Sequence, residues 1–328
     1  MAQRIFFGAI AISIVFGLFS ADAHLSSLPA FSGTLFDRGS FLPVALALVS
    51  TMAVAELANM CRASGSHPNQ NWASVSCVAL ILAPWFSAAG LLGDGPTNLE
   101  AVHLQYFLIA IAFIGGGFVA LRNKDVTTGL SDVASTWLLI IYGGVLPSFL
   151  VVMRCDSALP GPVGAWSVLC IIIVCKVSDI GAYFTGSFVG RTPLIPHVSP
   201  KKSVEGTLGG IMVSALVSFA LFKIHSATLL YTNVSMNASL ADKQLFHLHQ
   251  ITSLYIRMNG TQALIFGVVM SIVGQLGDLL ESVFKRSAKV KDSAHLVPGF
   301  GGILDMVDSP FAVAPIAWFL LTRWWQVL

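Results

Sequence analysis

Residues 263–285 read ALIFGVVMSIVGQLGDLLESVFK, and this stretch decides the fold. Its first half carries no charge, and the whole is long enough to cross a hydrocarbon core about 30 Å thick as a helix. Its second half carries Gln275, Asp278, Glu281 and Lys285. Ionisable groups at such depth cost a few kcal/mol each unless they face protein, water or an ion. Asp278, Glu281, Ser282, Lys285 and Lys289 follow i, i+3, i+4, i+7 and i+11, so one helical face is polar and the rest meets lipid or other helices. An isolated Glu281–Lys285 pair would mark only a membrane boundary; this pair has company, described below.

Comparable apolar runs recur from one end of the chain to the other, near 5–22, 41–58, 72–93, 103–121, 134–153, 163–184, 206–225, 263–285 and 303–327. They predict an all-α, polytopic membrane bundle of about nine transmembrane helices, with no soluble domain between them. The composition agrees. Of 328 residues 55% are hydrophobic and 10% charged, against roughly 25% charged in soluble domains, and mean hydropathy is +0.79. A net charge of +2 gives no basis for nucleic-acid binding. Cys61, Cys77, Cys155, Cys170 and Cys175 lack CxxC spacing and read as small buried hydrophobes. Arg4 ahead of an apolar run ending in Ala21-Asp22-Ala23 is compatible with a cleaved signal, but the reading taken is a retained first helix.

Threading nine spans with the N-terminus in the cytoplasm puts Arg4, Arg62, Arg122, Lys124, Arg191, Lys201, Lys202, Lys285, Arg286, Lys289 and Lys291 inside. Arg38, Arg154, Lys223, Lys243, Arg257 and Arg323 fall outside, and Lys176 lies within a span. The excess of basic residues inside favours this orientation. It brings the basic loops near 185–205 and 286–302 to the side where nucleotides are available. The segment 226–260 is then a polar extracytoplasmic insert. Its Asn233-Val-Ser, Asn237-Ala-Ser and Asn259-Gly-Thr match a glycosylation pattern but read as loop composition, and His225, His247 and His249 lack the spacing of a metal site. Glu56 reads as an interfacial residue, with pairing to Arg62 or lining the cavity as alternatives. The Gly115–Gly117 run reads as close helix packing, and Trp324 and Trp325 as an aromatic belt.

Beyond the polar stripe come Lys291-Asp292, then Pro298-Gly-Phe300-Gly301-Gly302, then Asp305 and Asp308 at i, i+3. Glycines let backbone approach a ligand, and carboxylates hold a hard divalent cation that turns repulsion of a polyphosphate into attraction. Together these residues describe a phosphate-and-metal site. The run from Ser282-Val-Phe-Lys285-Arg286 through Lys291-Asp292 to Gly301-Gly302-Ile-Leu-Asp305-x-x-Asp308 resembles the signature of the phosphatidate cytidylyltransferase (CDP-diacylglycerol synthase) family. Phe300 stands where the family usually has His, and Met306 where it usually has Arg. A second block is similar to the family's other cytoplasmic motif: Asp179-Ile-Gly-Ala-Tyr-Phe-x-Gly186, Gly190-Arg191-x-Pro, and Ser199-Pro-Lys201-Lys202-Ser203-Val-Glu205-Gly206. By charge alone its lysines would be a membrane-surface anchor.

The resemblance implies one membrane-embedded cytidylyltransferase domain over 1–328, with N-terminal helices in 1–153 and a catalytic part in 163–328. It implies transfer of CMP from CTP to phosphatidic acid, giving CDP-diacylglycerol and pyrophosphate. In that reading Asp278, Asp305 and Asp308 hold Mg²⁺, and Lys285, Arg286, Lys291 and Asp292 act in catalysis. Asp179, Ser199, Lys201, Lys202, Ser203, Glu205, Gly301 and Gly302 contact substrate. A second monovalent cation such as K⁺, membrane lipids and a homodimer are also among its expectations. The protein would sit in the cell membrane, if bacterial, with its site at the cytoplasmic face. Two rivals remain: another CTP-dependent lipid enzyme, such as a different lipid-phosphate cytidylyltransferase or a polyprenol-type kinase, and an ion-coupled transporter.

Overall fold

The computed structural model describes residues 2–28, 39–89, 98–121, 127–156, 162–234, 258–294 and 301–324. Within these, eight helical stretches are long and apolar enough to cross a membrane, and a shorter apolar stretch covers His103–Phe118. The helices are α1 Ala2–Ser27, α2 Phe41–Ala63, α3 Gln70–Ala88, α4 Asn98–Ala120, α5 Gly129–Ile140, α6 Leu146–Arg154, α7 Pro162–Val189, α8 Val204–Val234, α9 Gly260–Ser287 and α10 Leu304–Phe319. A π turn at Ile141–Val145 joins α5 to α6 into one span, and another, Leu320–Trp324, follows α10. This is the architecture of an integral, multi-pass membrane protein, and each predicted span finds its helix. Segments 235–257 and 295–300, with His247, His249, Pro298, Gly299 and Phe300, and residue Trp325 lie outside the described residues.

The helices pack by the close approach that small residues permit in lipid. At Gly115 of α4 a Cβ would run into Trp72, whose indole donates to the Ala112 carbonyl at 3.0 Å; Trp137 donates to the Phe113 carbonyl at 3.1 Å. The glycine run is therefore a packing surface, as expected. Cys77, Cys155, Cys170 and Cys175 are buried, and Cys61 is half-buried. His225 is buried on α8 rather than held in a loop.

Ion pairs stitch elements distant in sequence. Asp22 of α1 and Arg154 at the end of α6 are both fully buried, 2.6 Å apart, and Asp22 also accepts the Leu42 N–H. Arg154, counted above among the outside loop charges, is thus a neutralised internal group. Gln275 finds partners in a polar seam between α7, α8 and α9, donating to Ser271 Oγ at 3.0 Å and to Ser178 Oγ and the Thr207 carbonyl at 3.3 Å. Asn259, read above as loop composition, starts α9 with a capping box: its side chain accepts the Gln262 N–H while Gln262 accepts its own.

Two expectations about α7 and α9 are corrected. The span read as 163–184 continues as α7 to Val189, so Asp179 lies well inside the helix. Lys289 was placed on the polar face of α9. The helix ends at Ser287, and Lys289 takes φ 57°, with its N–H on the Arg286 carbonyl and the Val290 N–H on that of Lys285, so it belongs to a left-handed C-cap.

Candidate active site

The site forms where α7, α9 and α10 meet, with contributions from α2 and from a hairpin ahead of α8. That hairpin pairs β1 Pro193–Ile195 antiparallel with β2 Ser199–Ser203. Its turn is tied to α9 by Arg286, whose Nε donates to the Val198 carbonyl at 3.1 Å. Its base is held by Glu205, which accepts the Arg191 N–H at 3.0 Å and the Thr192 hydroxyl at 2.8 Å. Ser203 caps α8 by accepting the Gly206 N–H at 3.1 Å. Docked in this way, β2 delivers Lys202 to Asp278 on α9, at 2.7 Å.

Asp278, Glu281 and Asp308 each offer a carboxylate oxygen, and these atoms all lie within 4.8 Å of one another. Asp278 and Glu281 share a face one turn apart on α9, and Asp308 comes from the first turns of α10. Glu281 is fully buried and pairs with Lys285; apart from that ion pair it has no hydrogen-bond partner among the described residues. A buried carboxylate left under-coordinated beside two others fits a hard divalent cation, which prefers several oxygen ligands. Carboxylate oxygens are the ligand type that Mg²⁺ takes.

Asp305, expected among the metal ligands, is engaged elsewhere. One oxygen accepts Lys285 Nζ at 2.7 Å; the other accepts the Gly302 N–H at 2.8 Å, the Ser293 N–H at 3.0 Å and the Ser293 hydroxyl at 2.8 Å. It organises the glycine segment that leads into α10. Gly301 has φ 93°, and a Cβ there would press on the Asp305 carboxyl, so the position requires glycine. Lys285 therefore bridges Glu281 and Asp305, joining the metal group to the loop.

Of the three places open to Glu56, an interface, a pair with Arg62 or the lining of the cavity, the structure gives it the last. Arg62 bonds Asn59 and Gln70, while Glu56 is buried and accepts the N–H groups of Ile303 and Leu304 at 2.9 Å and the Ser293 hydroxyl at 2.7 Å. It is the N-terminal cap of α10, supplied by α2. Sequence offered one signal, an acidic residue inside a span, but not its partner.

Lys176 and Asp179 on α7 complete the group. The Lys176 amine lies 3.3 Å from Asp179 and 3.7 Å from Asp308. Lys201, Lys291 and Asp292 are exposed at the same end, Ser199 is half-buried on β2, and Met306 lies partly buried in the first turn of α10. The structure thus brings Asp179, Lys202, Asp278, Lys285, Asp305 and Asp308 together, adds Glu281, Glu56 and Lys176, and gives Ser203 and Glu205 local bonds that hold the hairpin.

A model of the cytidylyltransferase family matches residues 3–324. The phosphatidate cytidylyltransferase of a Synechocystis species is 28% identical, over 99% of this chain and 98% of its own. The enzymes of the same name from Staphylococcus haemolyticus and Staphylococcus aureus are 29% and 28% identical, each over 90% of this chain and 96% of the relative.

Proposed function

Because this chain belongs to the cytidylyltransferase family, we propose that it transfers CMP from CTP to phosphatidate, giving CDP-diacylglycerol and pyrophosphate. A phosphate oxygen of the lipid attacks the α-phosphorus of CTP, and the bond from that phosphorus to the β-phosphate oxygen breaks. Both reactants are anions, so the barrier is charge and positioning. The observation that carries the reading is the Asp278–Glu281–Asp308 group, with Glu281 and Asp308 buried and Asp278 half-exposed, ringed by Lys176, Lys202 and Lys285, an arrangement suited to a metal-bound polyphosphate.

Asp278, Glu281 and Asp308 would hold Mg²⁺, which supplies neutralisation of the triphosphate and of the leaving pyrophosphate. Lys202 and Lys285, already placed beside these carboxylates, take phosphate oxygens. Exposed Lys201 and Lys291, with Arg286, face incoming nucleotide and headgroup. Asp305 and Glu56 act as positioning residues by shaping the loop and the start of α10. The acyl chains stay in the bilayer while the headgroup reaches the site. The basic ends of α9 and of the hairpin belong, on this reading, to the cytoplasmic face, with the N-terminus on the same side. A homodimer and a bound monovalent cation such as K⁺ are part of the proposal as the family resemblance implies them.

The test is turnover by the purified protein in detergent, with CTP, phosphatidate and Mg²⁺, measuring both products. Formation of CDP-diacylglycerol with equimolar pyrophosphate is expected. Release of CDP with a phosphorylated lipid would make it a kinase, and no nucleotide turnover with any lipid phosphate would overturn the reading.

A further inference from the structure

Lys176 stands inside α7, after the apolar run Ile171-Ile-Ile-Val-Cys175 and ahead of Val177-Ser178-Asp179. A lysine at that depth costs a few kcal/mol unless its charge is met. Its amine is met twice, by Asp179 one turn along its own helix and by Asp308 across on α10. Asp308 is also one of the three clustered carboxylates, so Lys176 touches the group through a different carboxylate from Lys202 and Lys285.

We propose that Lys176 is a positioning residue built into the divalent site, fixing its net charge and the orientation of Asp308 so that the pocket takes one divalent cation and still admits a nucleotide polyphosphate. This deepens the function proposed above and rests on it. The charge count supports it. Asp179, Asp278, Glu281, Asp305 and Asp308 face Lys176, Lys202 and Lys285, five carboxylates against three ammonium groups, which leaves two negative charges. Glu56 stands apart, its charge met by two backbone N–H groups at the start of α10. A divalent cation offsets these two charges, before the nucleotide phosphates and any monovalent cation bind with it. Without Lys176 the pocket would hold three negative charges, attracting a free cation more strongly and repelling a polyphosphate more strongly.

The two effects have opposite signs, and that separates a charge-setting role from a merely structural tie between α7 and α10. Full-length protein in detergent would be compared as wild type, K176M, K176R and D179N. Mn²⁺ binding without nucleotide is read by electron paramagnetic resonance, CTP KM and kcat by turnover, and folding by thermal melting. K176M is expected to bind Mn²⁺ about tenfold tighter, the scale of coupling between a unit charge and a divalent ion about 5 Å apart at the dielectric of water. Its KM for CTP should rise, with kcat changed less. K176R should restore both, and D179N should weaken Mn²⁺ binding. If K176M does not fold, D179N alone decides the sign. Unchanged Mn²⁺ affinity in the folded variants, or metal and nucleotide affinities falling together, overturns the role of Lys176. Wild-type protein that binds Mn²⁺ but turns over no CTP overturns the functional reading, and the Mn²⁺ comparison still judges Lys176.

Discussion

Removing the Glu56 carboxylate tests whether α2 holds the catalytic end of α10. In E56A the N–H groups of Ile303 and Leu304, each 2.9 Å from that carboxylate, lose their acceptor, as does the Ser293 hydroxyl. Glu56 and Leu304 are buried, so water does not readily replace it. A buried donor left unmet costs about 1–3 kcal/mol, which applies in full to the Leu304 N–H and in part to the half-buried Ile303 N–H. E56Q keeps an amide oxygen for the helix start but loses the charge that complements its positive end, a loss of about 1 kcal/mol. Melting in detergent should therefore rank wild type above E56Q above E56A. Turnover should fall further than stability, because Asp305 and Asp308 ride on the capped segment and a misplacement of about 1 Å costs roughly a hundredfold in rate. E56A that melts and turns over like wild type would refute the capping argument.

Other outcomes follow from the same geometry. D278N, E281Q and D308N should each weaken Mn²⁺ binding by at least about tenfold through loss of a charged oxygen ligand, whereas D305N, which removes a nearby charge but no ligand, should weaken it less and lose turnover; binding measured without nucleotide checks both. K202M should raise the KM for CTP about tenfold with little change in melting, since its pair with Asp278 is partly exposed and such pairs contribute about 0–1 kcal/mol. G301A should destabilise by about 1–3 kcal/mol through its φ of 93° and also depress activity by pushing on Asp305. G65A, with the same φ and open space around it, is the control that carries the backbone cost alone.

Much of the fold was legible because lipid as a solvent leaves few solutions. An apolar run long enough to cross must be helical, and the nine runs read from the chain reappear as helices. The polar stripe on α9 was legible too, since i, i+3 and i+4 spacing needs no tertiary information. So were the glycines of α4, read from a run of small residues. The Asn259 capping box is present in the sequence as Asn-x-x-Gln, within a tripeptide that reads as loop composition.

Sequence by itself determined the class of protein, the spans and the two blocks that build the site, because hydropathy and helical periodicity are local properties. Tertiary structure alone decided which carboxylates converge. Asp305 and Glu281 are equally acidic in sequence, but Asp305 is consumed by Ser293, Gly302 and Lys285, while Glu281 is left buried and under-coordinated beside Asp278 and Asp308. Glu56 meets Leu304 across 248 residues, and Asp22 meets Arg154 across 132. Local pattern shows that a buried charge must have a partner, because an unpaired one is too costly to keep. Which partner it has depends on how the helices pack, and on that the spacing of residues along one helix is silent.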